Sequence, residues 1–324
     1  MKYASKLAIA SAALILAGQS LVADAAKWNM PTPYGDGVHH TKNVRAFAED
    51  VKTATGGEID ITVHSGASLF KHGEIYRSVR GGQAQIGELF MGLKGNDDPI
   101  FKADNIPFLA SDFDSAKKLW DATRSYVEAS LEKDGVKLLF AVPWPPQGFY
   151  TKKAVNSAAD FEGARMRAYS PTTSRLSVLL KAAPTTVQTP EIPQAFSTGI
   201  IDAMVTSPST GVSSQAWDFV SYYTDVQAWI PKNMVVVNAK AFKRLSADMQ
   251  KKLLDAAAKA EARGWAMAKT ETEAKTATLK EKGMNVSAPT DTLKSELQAI
   301  GKTMGEEWAA EAGETGKAVL SAIK

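Results

Sequence analysis

Two arginines, Arg165 and Arg167, follow Gly163 in a stretch whose pattern predicts a short strand with Arg167 near its end. A guanidinium there offers a planar fork of donors matching the two oxygens of a carboxylate, a strong way to orient a small organic acid. The residues alone leave a second reading open, in which Arg167 pairs with an internal Asp or Glu. Arg165, two residues earlier, is expected to point to the other face and has the weaker claim. Other chemistries lack their parts. No G-x-S-x-G, H-E-x-x-H, Walker or dinucleotide pattern occurs. The absence of cysteine removes thiol catalysis, Cys-ligated zinc, iron–sulfur clusters and disulfide frameworks. His39 and His40 are neighbours that a helix points about 100° apart. With no acidic or histidine partner spaced to complete a metal site, they are expected at the surface or as caps. His64 and His72 flank the small-residue loop of residues 65–68, where either contacts a ligand or faces solvent. Without a placed histidine, the many serines and aspartates form no triad. The expectation is a protein that is no enzyme, with no metal and no cofactor.

These residues need elements to position them. The chain has 324 residues, 44% hydrophobic, with 38 basic and 35 acidic side chains and a net charge of +3. That suits one large or two middling globular domains, and no concentrated basic face points to nucleic acid. Residues 1–25 carry Lys2 and Lys6, an apolar run over residues 7–17 and Ala23-Asp24-Ala25. This is the pattern of a secretory signal peptide cleaved after Ala25, too short in its apolar part to anchor a membrane, and it implies a periplasmic location. Beyond it the pattern alternates. Strands are expected over 28–30, 59–63 and 84–90, with helices near 44–51 and 74–80, then a helix over 115–131 and a strand over 136–142. Such alternation argues for an α/β fold with largely parallel strands. Pro143-Trp144-Pro145-Pro146 interrupts it. A second α/β unit follows, with strands at 148–151, 165–169 and 203–206 and a helix near 173–181, and a buried strand returns at 234–238. From Ser246 to about residue 282 a single proline-free helix, weakened only at Gly264, would extend roughly 50 Å.

Two segments are distinctive: residues 156–167 (NSAADFEGARMR) and residues 189–203 (TPEIPQAFSTGIIDA). In order and spacing they closely resemble the solute-binding subunits of TRAP transporters, the DctP-like extracytoplasmic receptors. Residues 56–59 (GGEI) and 66–69 (GASL) match weaker family segments. The resemblance implies a two-domain periplasmic-binding-protein fold of type II kind, with hinge strands and a long helix spanning both domains. The expected division is a signal peptide at 1–25, one domain from 26–145 with about 236–278, and another from 146–235 with about 279–324, a ligand cleft lying between them. It also implies that Arg167 makes a bidentate salt bridge with the substrate carboxylate, and that a membrane permease of two integral subunits, driven by an ion gradient, is the partner. A monomer is expected.

Departures bear on the ligand. Family members that bind sugar acids often have Gly-x-Arg where this chain has Gly148-Phe149-Tyr150, and Asp-Gly-x-x-Asn where it has Asp202-Ala203-Met204-Val205-Thr206. Losing a second cation and an amide disfavours a highly hydroxylated ligand, whose oxygens would be buried unpaired. Trp144, Phe149, Tyr150, Tyr169 and Trp217 lie near the cleft segments and suit stacking on a flat body, core packing being the competing role for each. Tyr34, Glu74, Phe90, Thr206 and Ser207 complete the expected lining. The ligand expected is an aromatic or apolar monocarboxylate, such as a hydroxybenzoate or an aryl keto or hydroxy acid. The alternatives are a sugar acid or other aliphatic carboxylate, and a sensory role presenting ligand to a receptor kinase.

Overall fold

The computed structural model describes residues 26–323, so the expected signal peptide lies outside the described residues. The first lobe opens with β1 (Ala26–Pro31), α1 (His39–Ala54), β2 (Ile59–His64), α2 (His72–Arg80) and β3 (Ile86–Phe90). It continues through a 3-10 segment at Pro99–Asn105 to α3 (Phe113–Lys133) and β4 (Val136–Pro143). The second lobe holds β5 (Gly148–Thr151), β6 (Arg165–Ala168), α4 (Pro171–Leu179), β7 (Ala183–Thr186), α5 (Ile192–Ser197), β8 (Ala203–Thr206), α6 (Pro208–Ser213) and β9 (Tyr222–Thr224). The chain then returns through β10 (Lys232–Asn238) and α7 (Ala239–Lys243) to the long α8 (Ala247–Glu281), followed by β11 (Asn285–Ser287) and α9 (Asp291–Ala322).

β1 and β2 pair in parallel, beside a sheet ordered β3-β10-β4, while the second lobe carries a six-stranded sheet ordered β11-β9-β5-β8-β6-β7. The expectation of largely parallel strands holds only in part. β6 runs parallel to β7 and β8, but β10 is antiparallel to both β3 and β4, and β5 to both β8 and β9. The reason is topological. β4 and β5 carry the chain out of the first lobe and β9 and β10 carry it back, so the two crossings lie side by side with opposite directions. β10 belongs to the first sheet from Lys232 onward and pairs there with Pro143, so the return crossing precedes residue 232 and not 236.

α8 is the third connection. Ser246 caps it, its Oγ accepting from the Met249 N–H at 3.2 Å. Its Ala256, Ala257 and Ala260 pack with Phe47 and Phe140 of the first lobe, and its Leu279 packs with Tyr150 and Tyr223 of the second. Gly264 does not break it. An added Cβ there would collide with Val142 and stand 2.8 Å from Asn43 Nδ2, so glycine is what lets β4 and α1 approach the helix. α9 also binds both lobes: Trp308 Nε1 donates to the Pro99 carbonyl at 2.8 Å, and Glu296 accepts from the Ala158 N–H at 2.6 Å.

Candidate functional site

Alternation along β6 buries Met166 and gives Arg165 and Arg167 the same side of the strand, not opposite faces as expected, so facing alone does not separate them. Their partners do. Arg165 is exposed, and Asp202 takes its Nε and Nη2, each at 2.8 Å. Arg167 is 3% exposed. Its Nε donates to the Val187 carbonyl at 2.9 Å and its Nη2 reaches Thr189 Oγ1 at 3.3 Å. Nη1 is buried with no hydrogen-bond partner, and among the described residues no Asp or Glu forms an ion pair with this side chain. The reading in which Arg167 pairs internally is therefore not what the structure shows. Burial pushes its pKa down to about 10, which leaves it charged at neutral pH. The segment that grips it is itself braced, since the Gln188 N–H donates to Glu191 Oε2 at 2.9 Å ahead of α5.

Arg167 faces a small cavity between the lobes. The first lobe and the crossings contribute Tyr34, His72, Phe90, Trp144, Gln147 and Pro231. The second contributes Arg167, Tyr169, Gln188, Thr189, Thr206, Ser207 and Thr210. The walls touch where the Phe90 and Tyr169 rings meet edge to face at 5.3 Å, and where Tyr169 Oη donates to Gln147 Oε1 at 3.0 Å. Behind the first wall, Asn233 Oδ1 accepts from Trp144 Nε1 at 2.9 Å and from Tyr34 Oη at 3.4 Å, while its Nδ2 donates to Glu88 Oε1 at 3.1 Å. Thr32 donates to the other Glu88 oxygen, and His40 Nδ1 lies 3.2 Å from Glu88 Oε1. Glu88 is buried, and desolvation raises its pKa against the lowering effect of these donors.

Seven of the expected residues are thus brought together: Arg167, Tyr34, Phe90, Trp144, Tyr169, Thr206 and Ser207. Four lie elsewhere. Glu74 is exposed and caps α2, accepting from the Lys71 N–H at 3.1 Å. β5 lies inside its sheet with both faces covered, so Phe149 packs on Phe161 and Tyr150 on Tyr223, with Tyr150 Oη donating to the Ser207 carbonyl at 3.2 Å. Trp217 packs against the second-lobe core with Lys282 over its ring. His39 and His40 are corrected too. Both are fully buried, because the first turn of α1 is packed beneath the Trp144 indole, whose centroid is 4.2 Å from that of His40. Among the described residues no group of three or more His, Cys, Asp or Glu side chains is placed to hold a metal. Gln147, Gln188, Thr189, Thr210 and Pro231 were missed, although Gln188-Thr189 directly precede the TPEIPQ segment's Pro190 and Gln147 closes the Pro-Trp-Pro-Pro interruption.

Two lobes linked by paired crossings, enclosing a small cavity onto which the buried and unpaired Arg167 opens, have the layout of a solute receptor. Residues 33–312 match the DctP family model, described as bacterial extracellular solute-binding protein, family 7, and the chain belongs to that family. It is similar over 92% of its length to 99% of DctP7, a Bordetella pertussis extracytoplasmic solute receptor binding pyroglutamic acid, with 50% identity and a TM-score of 0.91. DctP6 of the same organism, also a receptor binding pyroglutamic acid, is 40% identical over 92% of this chain and 99% of its own, with a TM-score of 0.90. A TRAP solute-binding protein from an unidentified marine microbe, specific for pyroglutamate, is 38% identical over 93% and 99%, with a TM-score of 0.91. The family's members are solute receptors and not enzymes, and no helix among the described residues is long and apolar enough to cross a membrane.

Proposed function

We propose that this protein captures pyroglutamate, or a small cyclic monocarboxylate of similar size, and delivers it to the two integral subunits of an ion-gradient-driven TRAP permease. The observation that carries this reading is the Arg167 guanidinium, buried and charged with Nη1 unpartnered at the cavity. A buried charge with no counter-ion is unfavourable by several kcal/mol until an anion meets it. A ligand carboxylate supplies that anion, and the receptors of known ligand at 38% to 50% identity support a lactam acid as its bearer. In this reading residues 26–145 with about 232–278, and 146–231 with about 279–324, are two domains that turn at the crossings. The ligand binds the closed arrangement better and so populates it, which is the state the permease recognises. Residues 1–25 are removed on export to the periplasm, and the receptor works as a monomer.

The aromatic monocarboxylate expected from the ring-lined walls is the competing ligand, and one titration separates the two. Calorimetry with L-pyroglutamate, 4-hydroxybenzoate and glucuronate should show tightest binding of L-pyroglutamate. Tighter binding of 4-hydroxybenzoate would replace the lactam with the aryl acid, and binding of none of the three would overturn the carboxylate reading at this site.

A further inference from the structure

Arg167 is not alone among buried donors at the cavity without a partner. His72, the first residue of α2, is 6% exposed and lines the same cavity from the first lobe. Its Nε2 stands 3.1 Å from the Phe90 backbone nitrogen. That backbone group only donates, so Nε2 accepts and carries no proton. Burial pushes the His72 pKa down to about 4, leaving the ring neutral at pH 7 with its single proton on Nδ1. This Nδ1–H is buried and makes no well-formed hydrogen bond within the protein, although the Gln188 side chain across the cavity is close enough to interact with the ring. The groups around the ring are the Glu88 carboxylate, the Gln188 side chain, the Arg167 guanidinium and the edge of Tyr34 at 5.5 Å.

We propose that His72 determines specificity by donating from Nδ1 to a second acceptor on the ligand, the ring carbonyl of a lactam acid, while Arg167 holds the carboxylate. This deepens the pyroglutamate reading and rests on it. The two donors come from different lobes, so a ligand with acceptors at both ends joins the walls, whereas a ligand with a carboxylate alone leaves the buried His72 Nδ1–H without a well-formed bond, with only the Gln188 side chain nearby. Because a main-chain N–H fixes the tautomer, the imidazole cannot turn over to accept. A keto, hydroxyl or lactam oxygen fits this position, and an ammonium such as that of proline does not. Glu74 and His72 show how the turn is built: the glutamate caps the start of α2 on the outside while the histidine enters the cavity on the inside.

The test uses three acids of similar ring size: L-pyroglutamate, 3-oxocyclopentanecarboxylate, which keeps the carbonyl without the ring N–H, and cyclopentanecarboxylate, which has neither. Calorimetry on the wild-type protein should give a preference for the two oxo acids of roughly 10- to 100-fold, the range for a buried donor left unpaired. His72→Phe should abolish that preference with cyclopentanecarboxylate affinity held within about threefold. His72→Gln, whose amide can accept from Phe90 and donate to the ligand, should restore part of it. A merely structural histidine would weaken all three acids alike in His72→Phe, and that outcome, or an unchanged ratio, overturns the assignment. On the unmutated protein, the ¹⁵N resonance of His72 Nδ1 should shift with the oxo acids and hold still with cyclopentanecarboxylate. If the wild-type protein binds none of these acids, the ligand reading fails and this assignment with it. If it binds L-pyroglutamate without regard to His72, only the assignment fails.

Discussion

On the first-lobe wall of the cavity, Trp144, Tyr34, Asn233, Glu88 and Thr32 direct their hydrogen bonds at one another, and the rings of the wall stand on groups the protein itself supplies. On the second-lobe wall, Arg167 has two of its three nitrogens held by Val187 and Thr189 and the third left open. Apart from the His72 Nδ1–H, one wall is a finished surface that gives shape. The other carries an unfinished interaction that gives affinity, and the structure is complete only when a ligand closes it. Preorganising one side and leaving a single charge on the other makes binding energy appear where the lobes meet, which is where it favours closure.

The largest expected effect breaks the second wall. Arg167→Met should weaken L-pyroglutamate binding by about 2 to 5 kcal/mol, the range for removing one partner of a buried charge pair. The same change should leave the unliganded protein as stable or more so. Holding the guanidinium down to about 10 from its usual 12.5 corresponds to about 3 kcal/mol of unfavourable burial, which methionine relieves. Titration calorimetry and urea unfolding measure the two effects separately. Near-unchanged affinity in a folded variant would remove Arg167 from the site.

Acid should act on the first wall instead. Burial holds His39 and His40 well below the usual histidine pKa and His72 at about 4. The unfolded chain therefore binds more protons than the native protein between about pH 4 and 6.5, and stability rises with pH across that window. For His72 alone the contribution is at most about 3 kcal/mol, lost as pH falls toward 4. Glu88 works the other way, since its raised pKa makes the native state the better proton binder over part of the range. Arg167 stays charged throughout, so this slope belongs to the first wall. Urea unfolding at a series of pH values should show the rise, and His72→Gln should flatten it; an identical slope in that variant would place the titration elsewhere.

How much of this was legible depended on distance along the chain. Strands and helices announce themselves by local periodicity, and β1, α1, α3, β4 and the N-cap at Ser246 fall where the pattern put them. Pairing direction is not local. Nothing in the β10 residues says that Met234 lies opposite both Leu89 and Ala141 on antiparallel neighbours. Burial of His39 and His40 depends on Trp144, about a hundred residues away, so their spacing suggested a surface that the fold covers. Aromatics in the core and in the cavity have the same composition and differ only by strand position: Phe149 and Tyr150 sit on an inner strand, whereas Phe90 and Tyr169 lie at the open ends of β3 and β6. Arg167 was readable because the arginine and the two segments flanking it occur together in order.

The smallest effect sharpens the comparison most narrowly. Arg165 and Arg167 share a residue type, a strand and a side of it, so a contribution from charge alone would make their removal alike. Arg165 is spent on Asp202 in an exposed bidentate pair, with Lys152 also 3.8 Å from that carboxylate. Exposed pairs of this kind contribute little, because water already solvates both partners and salt screens what remains. Arg165→Ala should therefore change stability little and leave L-pyroglutamate affinity within the error of a titration. A loss approaching that of Arg167→Met would mean that the field of the second lobe draws in the carboxylate, and not the one guanidinium whose third nitrogen the fold leaves open.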